Sequence, residues 1–241
     1  MKVFIVGITG AMGKTICNSA DDYEVVGGYS IEEDLENNIY NDFNKVDVDF
    51  DVIIDFSNKN VVDDTINFAV KNKKPLVEAT TGLSDETFKK LEEASKEIAI
   101  IQSGNYSIGV NAMESIAEIM AKMLKDFDIE IIESHHNQKV DAPSGTARML
   151  IDAVKKERDL NEVYDRHDLH EKRKPNDIGV HTIRAGSIVG EHTLIFAKDD
   201  EVLELTHRAG SKNIFAKGAI KAARFLIGKE PGRYDFKELL K

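Results

Sequence analysis

The chain has 241 residues, of which 41% are hydrophobic, and its formal net charge is −11. That suits one compact body or two small domains with substantial cores, and the acidic balance excludes nucleic acid and anionic membrane surfaces, which need a net basic face. Cys17 is the single cysteine, so no intrachain disulfide can form and a reducing cytoplasm fits. No run of 18 apolar residues occurs and Met1 leads straight into a strand, so neither membrane insertion nor secretion is expected.

In chain order, Lys2–Val6 is a short apolar run, Gly7, Gly10 and Gly13 follow, and Ile16 begins a helical stretch. Strand, glycine turn and helix in this order are what a dinucleotide pyrophosphate needs. The loop of Gly7, Ile8, Thr9, Gly10, Ala11, Met12 and Gly13 is therefore a candidate phosphate cradle, although a tight turn in any α/β protein shares the GxxGxxG spacing. Gly13, Lys14 and Thr15 resemble the end of a nucleoside-triphosphate loop, but that pattern requires glycine where the chain has Ile8.

The second strand, Glu24–Gly28, is followed by Ser30 and then by Glu32, Glu33 and Asp34, three acids that arrive slightly late for an adenosine ribose. No arginine stands nearby for a 2′-phosphate, while Lys14 and Ser30 could tolerate one. NADH or NADPH is thus admissible, with a lean to NADH. Val52–Phe56 and Leu76–Glu78 read as buried strands ending in small polar residues, Ser57 after the first and Ala79, Thr80, Thr81 and Gly82 after the second. Ile98–Ile101 repeats the design with Ser103, Gly104, Asn105 and Tyr106. Open parallel sheets bind ligands at such strand ends, though the TTG turn also reads as a plain lead into a helix capped by Ser84.

Beyond residue 105 the alternation stops. Ile108–Leu124 has helical spacing, and Lys155–Ile178 is a polar excursion with His167 and His170 expected in solvent. From Val180 three strands follow in succession, VHTIRAG, IVGEHTLIFA and EVLELTHRA. Phe215–Ile227 returns to helix and ends at Gly228. The expected fold is α/β. A dinucleotide-binding domain is built from residues 1–105 and 214–241, and an α+β substrate-binding and oligomerisation domain on a mixed sheet is inserted at 106–213.

The chemistry concentrates at Glu130–Ala147, EIIESHHNQKVDAPSGTA, where an apolar strand runs into a loop carrying His135, His136 and Lys139 and then into a helix start at Ser144, Gly145 and Thr146. Cations beside a helix N-terminus suit a carboxylate ligand. Metal is not expected, because adjacent histidines followed by a lysine lack the spacing of common zinc sites. HHNQKVDAPSGTA resembles the signature of the dihydrodipicolinate reductases, also called 4-hydroxy-tetrahydrodipicolinate reductases, and the resemblance extends over nearly the whole chain.

The resemblance implies a Rossmann-like nucleotide domain that binds NADH or NADPH and holds the nicotinamide half through the backbone of Ala79, Thr80 and Thr81 and of Ser103, Gly104, Asn105 and Tyr106. It also implies a small dicarboxylate substrate, reduced to tetrahydrodipicolinate in lysine and diaminopimelate biosynthesis, and a homotetramer built through the second sheet. Arg184 and Gly190–Thr193 match positions that line or support the site and the subunit contact. Reduction of a conjugated imine leaves an enamine that must be protonated. His135 and Lys139 are the candidate donors, and His136, Gly145 and Thr146 are the candidate carboxylate clamp. Which donor acts stays open, the ordinary imidazole pKa favouring His135 slightly over a lysine, a sluggish acid at neutral pH. A different oxidoreductase of the same layout and a non-catalytic nucleotide sensor are the competing readings.

Overall fold

Apolar runs too short for helices become strands, and the segments between them become helices with one greasy face. The computed structural model describes residues 1–240. Its elements are β1 (Lys2–Val6), α1 (Ala11–Asn18), β2 (Glu24–Tyr29), β3 (Ile39–Tyr40), β4 (Val52–Asp55), α2 (Val62–Asn72), β5 (Leu76–Glu78), α3 (Asp85–Ala94) and β6 (Ala99–Gln102). The chain continues through α4 (Ile108–Met123), β7 (Asp128–His135), α5 (Gly145–Lys155), β8 (Asn161–Val163), β9 (Asp177–Arg184), β10 (Glu191–Lys198), β11 (Glu201–Arg208), α6 (Asn213–Leu226) and β12 (Gly232–Tyr234). None of the described helices is long and apolar enough to cross a membrane.

Contacts divide the chain into two units, Met1–Ser107 with the chain from Lys212 onward, and Ile108–Ser211. The first unit is a seven-stranded sheet in the order β12-β6-β5-β4-β1-β2-β3 with every pair parallel. Its central strands are buried on both faces, which is why VFIV and VIID are unbroken apolar runs up to their last residues. One face packs on α1 and α6 through Ile16, Ala216, Ala219 and Ala223, the other on α2 and α3 through Ile66, Ala69 and Leu91. Strand order reverses between β1 and β4, so the glycine turn after β1 opens at the switch point where such sheets bind ligands. Cys17 packs half-buried against the first of these cores, and burial raises its thiol pKa.

The second unit is a mixed five-stranded sheet in the order β11-β10-β7-β9-β8. The β10 pairings to β11 and β7 are antiparallel, and those of β9 to β7 and β8 are parallel. Ile129, Ile131, Leu194 and Phe196 project to one face, where Met113, Ala117, Leu150 and Val154 of α4 and α5 cover them. The polar stretch 155–178 departs from the sequence reading, because it supplies the edge strand β8 and buries Leu160. His167 and His170 are exposed, as expected.

Candidate active site

Period-two alternation along β7 carries the inward face beyond its apolar part. Ile129 and Ile131 enter the core, and the next residues on that face are Glu133 and His135, both buried. Across the sheet His192 is the register partner of Glu133, and on the other side Thr182 and Arg184 are the partners of Glu133 and His135. One end of the sheet core is therefore polar, and its charges are matched. Arg184 donates to both Glu133 oxygens at 2.8 and 2.9 Å, His135 Nδ1 lies 2.6 Å from Glu133 Oε2, and the Ser144 N–H donates to Oε1 at 3.1 Å. Burial pushes the Glu133 carboxyl up, but Arg184, His135 and the Ser144 amide outweigh it and hold the pKa at about 2.

An ionised Glu133 facing Nδ1 fixes the imidazole tautomer, with the proton on Nδ1 and the lone pair on Nε2. Burial lowers the His135 pKa despite the pull of Glu133, so the ring is neutral at physiological pH. His192 packs edge-on against it, with ring centroids 5.1 Å apart, and its Nε2 meets the Ser144 hydroxyl at 2.9 Å. Burial drives the His192 pKa down to about 3. Glu133, His135 and His192 bring ligand atoms within 4.8 Å of one another, yet the carboxylate is already neutralised by Arg184, which leaves a cation no anionic partner.

Lys139 lies beyond the strand end, its ammonium 2.7 Å from Asp141 Oδ1. Arg184 anchors this loop as well, donating to the carbonyls of Lys139 at 3.3 Å and Asp141 at 2.6 Å. The Ser144 hydroxyl caps α5 by accepting from the Ala147 N–H at 3.2 Å. Gly145 and Thr146 then form the first turn, Gly145 exposed and no acid present there, an arrangement that favours an anion. His136 is half-buried next to His135 and accepts through its carbonyl from the Lys139 N–H. The loop thus gathers His135, His136, Lys139, Gly145 and Thr146 around a scaffold of Glu133, Arg184 and His192. Glu133 escaped the sequence reading, although its place two residues before His135 on an alternating strand was a usable signal.

In the first unit the glycine turn follows β1 directly. Gly7 has φ +82°, a conformation open to glycine, and a Cβ there would lie 2.8 Å from the Phe56 carbonyl. A Cβ on Gly13 would collide with the Gly7 carbonyl and lie 2.5 Å from that of Ile8. Thr9, Gly10 and Ala11 are exposed, Ile8 and Gly13 buried and Met12 intermediate. No side chain caps α1, and no acid lies in its first turn. A pyrophosphate fits such a bare helix start. Gly13→Ala is expected to cost roughly 1–3 kcal/mol of stability and to abolish detectable NADH binding, measured by denaturant titration and fluorescence. Past β2, Thr9 and Ser30 hydroxyls lie 2.6 Å apart, Glu33 pairs with Lys45, and Asp34 caps the short turn Leu35–Asn37.

Ala79 and Thr80 are buried at the end of β5 and Thr81 is exposed. Ser103, Asn105 and Tyr106 are buried after β6, with Gly104 exposed. The Tyr106 phenol donates into the sheet, to the Glu78 carbonyl at 2.8 Å, so its side chain is a packing element.

The chain matches the family models "Dihydrodipicolinate reductase, N-terminus" over residues 1–106 and "Dihydrodipicolinate reductase, C-terminus" over residues 109–240. The chain belongs to the dihydrodipicolinate reductase family. It is 45% identical over 100% of its length to the 4-hydroxy-tetrahydrodipicolinate reductase of Caldanaerobacter subterraneus, covering 98% of that protein. It is likewise 45% identical to the enzyme of that name from Staphylococcus aureus, over 99% of this chain and 100% of the relative. Among solved structures, the dipicolinate-bound dihydrodipicolinate reductase from Paenisporosarcina sp. TG-14 superposes with a TM-score of 0.81 at 20% identity, covering 100% of this chain and 99% of that one, which establishes the shared fold.

Proposed function

We propose that Lys139 is the proton source and His135 the proton acceptor and relay in the family's reaction. The chain is an NAD(P)H-dependent oxidoreductase that reduces 4-hydroxy-tetrahydrodipicolinate to tetrahydrodipicolinate in lysine biosynthesis. The substrate carries a hydroxyl that the product lacks, so the overall change takes up one hydride and one proton and releases one water. The cofactor supplies the hydride when bound. The glycine loop Gly7–Gly13 is suited to its pyrophosphate, and the backbone of Ala79–Thr81 and Ser103–Tyr106 to its nicotinamide half.

The observation that carries the assignment is the 2.6 Å contact between His135 Nδ1 and a Glu133 carboxylate kept ionised by Arg184. A neutral imidazole with its proton on that side presents a lone pair at Nε2, which suits taking a proton up. It is a poor acid until it has done so. The Lys139 ammonium starts the cycle with a proton to give, and its positive charge also opposes the substrate's two carboxylates. His136, the Gly145 and Thr146 first turn and the helix dipole of α5 clamp one carboxylate.

Three acids beyond β2 disfavour a 2′-phosphate, so NADH is expected to show the lower KM. The test is the absorbance of NADH and of NADPH followed with substrate made in situ. Oxidation that does not depend on substrate would overturn the reading in favour of a nucleotide sensor. Val202 and Leu203 on the edge strand β11 and Ile183 on β9 are exposed apolar residues on the second sheet, which supports a homotetramer formed through it. Sedimentation equilibrium at four times the chain mass is the expected result, and a monomer would refute it.

A further inference from the structure

The first unit contains two buried acids that the reaction above does not use. Asp55 and Glu78 end the adjacent parallel strands β4 and β5, where they are register partners, and both are wholly shielded from solvent. One oxygen of each is engaged. The Ser57 N–H donates to Asp55 Oδ1 at 2.7 Å, the Thr80 N–H to Glu78 Oε1 at 2.7 Å, and the Thr80 hydroxyl to Asp55 Oδ1 at 3.2 Å. Among the described residues, the other two oxygens, Asp55 Oδ2 and Glu78 Oε2, are buried without a donor.

The surroundings do not compensate two negative charges. Thr65 of α2 lies near enough to Asp55 to lower its carboxyl pKa, and the pair shares the sheet face of Ile53 and Leu76, which α2 and α3 cover with Val62, Ile66 and Leu91. The Tyr106 phenol donates to the Glu78 backbone carbonyl, and the charge of Arg233 on β12 is felt at that phenol. Burial, the mutual influence of the two acids, and hydroxyl and amide dipoles are what set the two carboxyls. Two carboxylates side by side in a buried site are strongly disfavoured, whereas one proton held by the pair removes a charge and supplies a donor where two oxygens lack one.

We infer that Asp55 and Glu78 share a single proton at neutral pH, and that this proton positions the turns Phe56–Lys59 and Ala79–Thr81 for the nicotinamide half of the cofactor. The inference rests on the reading of Ala79–Thr81 as cofactor-holding residues. These two turns bound a cavity of about 410 Å³. The coupling is direct, because the amides that start each turn, Ser57 and Thr80, are tied to the pair's engaged oxygens. Burial raises the Asp55 carboxyl, and burial followed by the Asp55 charge raises that of Glu78 well above the usual carboxylate range. When alkaline pH removes the shared proton, the repulsion of two charges is delivered to both turns. Asp55 and Glu78 are positioning residues, since neither carboxyl reaches solvent.

The test pairs infrared spectroscopy with NADH binding in wild type and Glu78→Gln, whose amide can donate to Asp55 at every pH. Wild type near pH 7 is expected to show the carbonyl stretch of a protonated carboxylic acid. As that band fades with rising alkaline pH, the Kd for NADH should rise about tenfold. In Glu78→Gln the band should be missing and the Kd level across the same range. A wild type without the band overturns the shared proton. A band that fades while the wild-type Kd stays level overturns the positioning role, and this arm decides even if the variant does not fold. A wild type that shows the band and binds no NADH overturns instead the cofactor reading of the turns.

Discussion

Replacing Lys139 with alanine is expected to lower kcat by about two to four orders of magnitude while the Kd for NADH changes by less than about twofold. The asymmetry follows from the two units. The ammonium belongs to the second, whereas the glycine turn and the strand ends suited to the nucleotide belong to the first. The loop should keep its course, because Arg184 holds it through the backbone carbonyls of Lys139 and Asp141. Lys139→Arg separates charge from proton delivery. Arginine keeps the positive charge but does not give up a proton near neutrality. An arginine variant as slow as the alanine variant supports proton donation, recovery of most of the activity assigns Lys139 a charge role, and equal losses in turnover and NADH binding refute the division between the units.

The second large effect is expected at Glu133. Glu133→Gln keeps the shape of the side chain but no longer neutralises Arg184 or dictates which imidazole nitrogen carries the proton. Turnover should fall on the order of a hundredfold or more, and breaking the buried pair should cost about 3–5 kcal/mol. Acid unfolding supplies the sign. The folded-state pKa of Glu133 is depressed to about 2 from the ordinary value of 4.5, so its contribution is present above about pH 4.5 and is lost as pH falls toward 2. That contribution is about 3 kcal/mol. His192 acts in the same direction at higher pH, because a ring kept neutral down to about pH 3 costs stability once the unfolded chain begins to protonate near 6.5. Urea titrations below about pH 4.5 should show stability falling with pH in wild type, since the raised carboxyls of Asp55 and Glu78 act in the opposite direction only above that range. In Glu133→Gln the decline below about pH 4.5 should be much shallower, and an unchanged slope there would remove Glu133 from the account.

Much of this was legible in the chain. VFIV followed by Gly7, Gly10 and Gly13 announced the first strand, its turn and helix, because apolar runs and glycine spacing are local signals. EVLELTHR was legible as a strand by alternation, and His135, Lys139 and Gly145 stood out because ionisable groups crowd a short loop. What the residues hid is set by pairing across the sheets. Glu133 looks like an outward acid on a half-exposed strand until the register sets it against His192 and Thr182. Glu78 looks like the polar end of a short strand, and its burial against Asp55 depends on which strands are neighbours. Strand β8 was invisible because three residues in a charged stretch carry no periodicity, and its parallel pairing to β9 comes from tertiary context.

The placement of α6 has a consequence for synthesis of the chain. Strands β1 to β6 emerge from the ribosome about a hundred residues ahead of the helix that covers one of their two faces, and Gly218 lets that helix lie directly on the Tyr106 carbonyl. Until Asn213–Leu226 is made, Val3, Ile5, Ile54 and Ile101 lack the cover of α6, while the second unit already has every strand and helix it needs. The later-translated module should therefore reach its native state first on the nascent chain, and the leading half should remain a client of holdase chaperones until translation has passed α6.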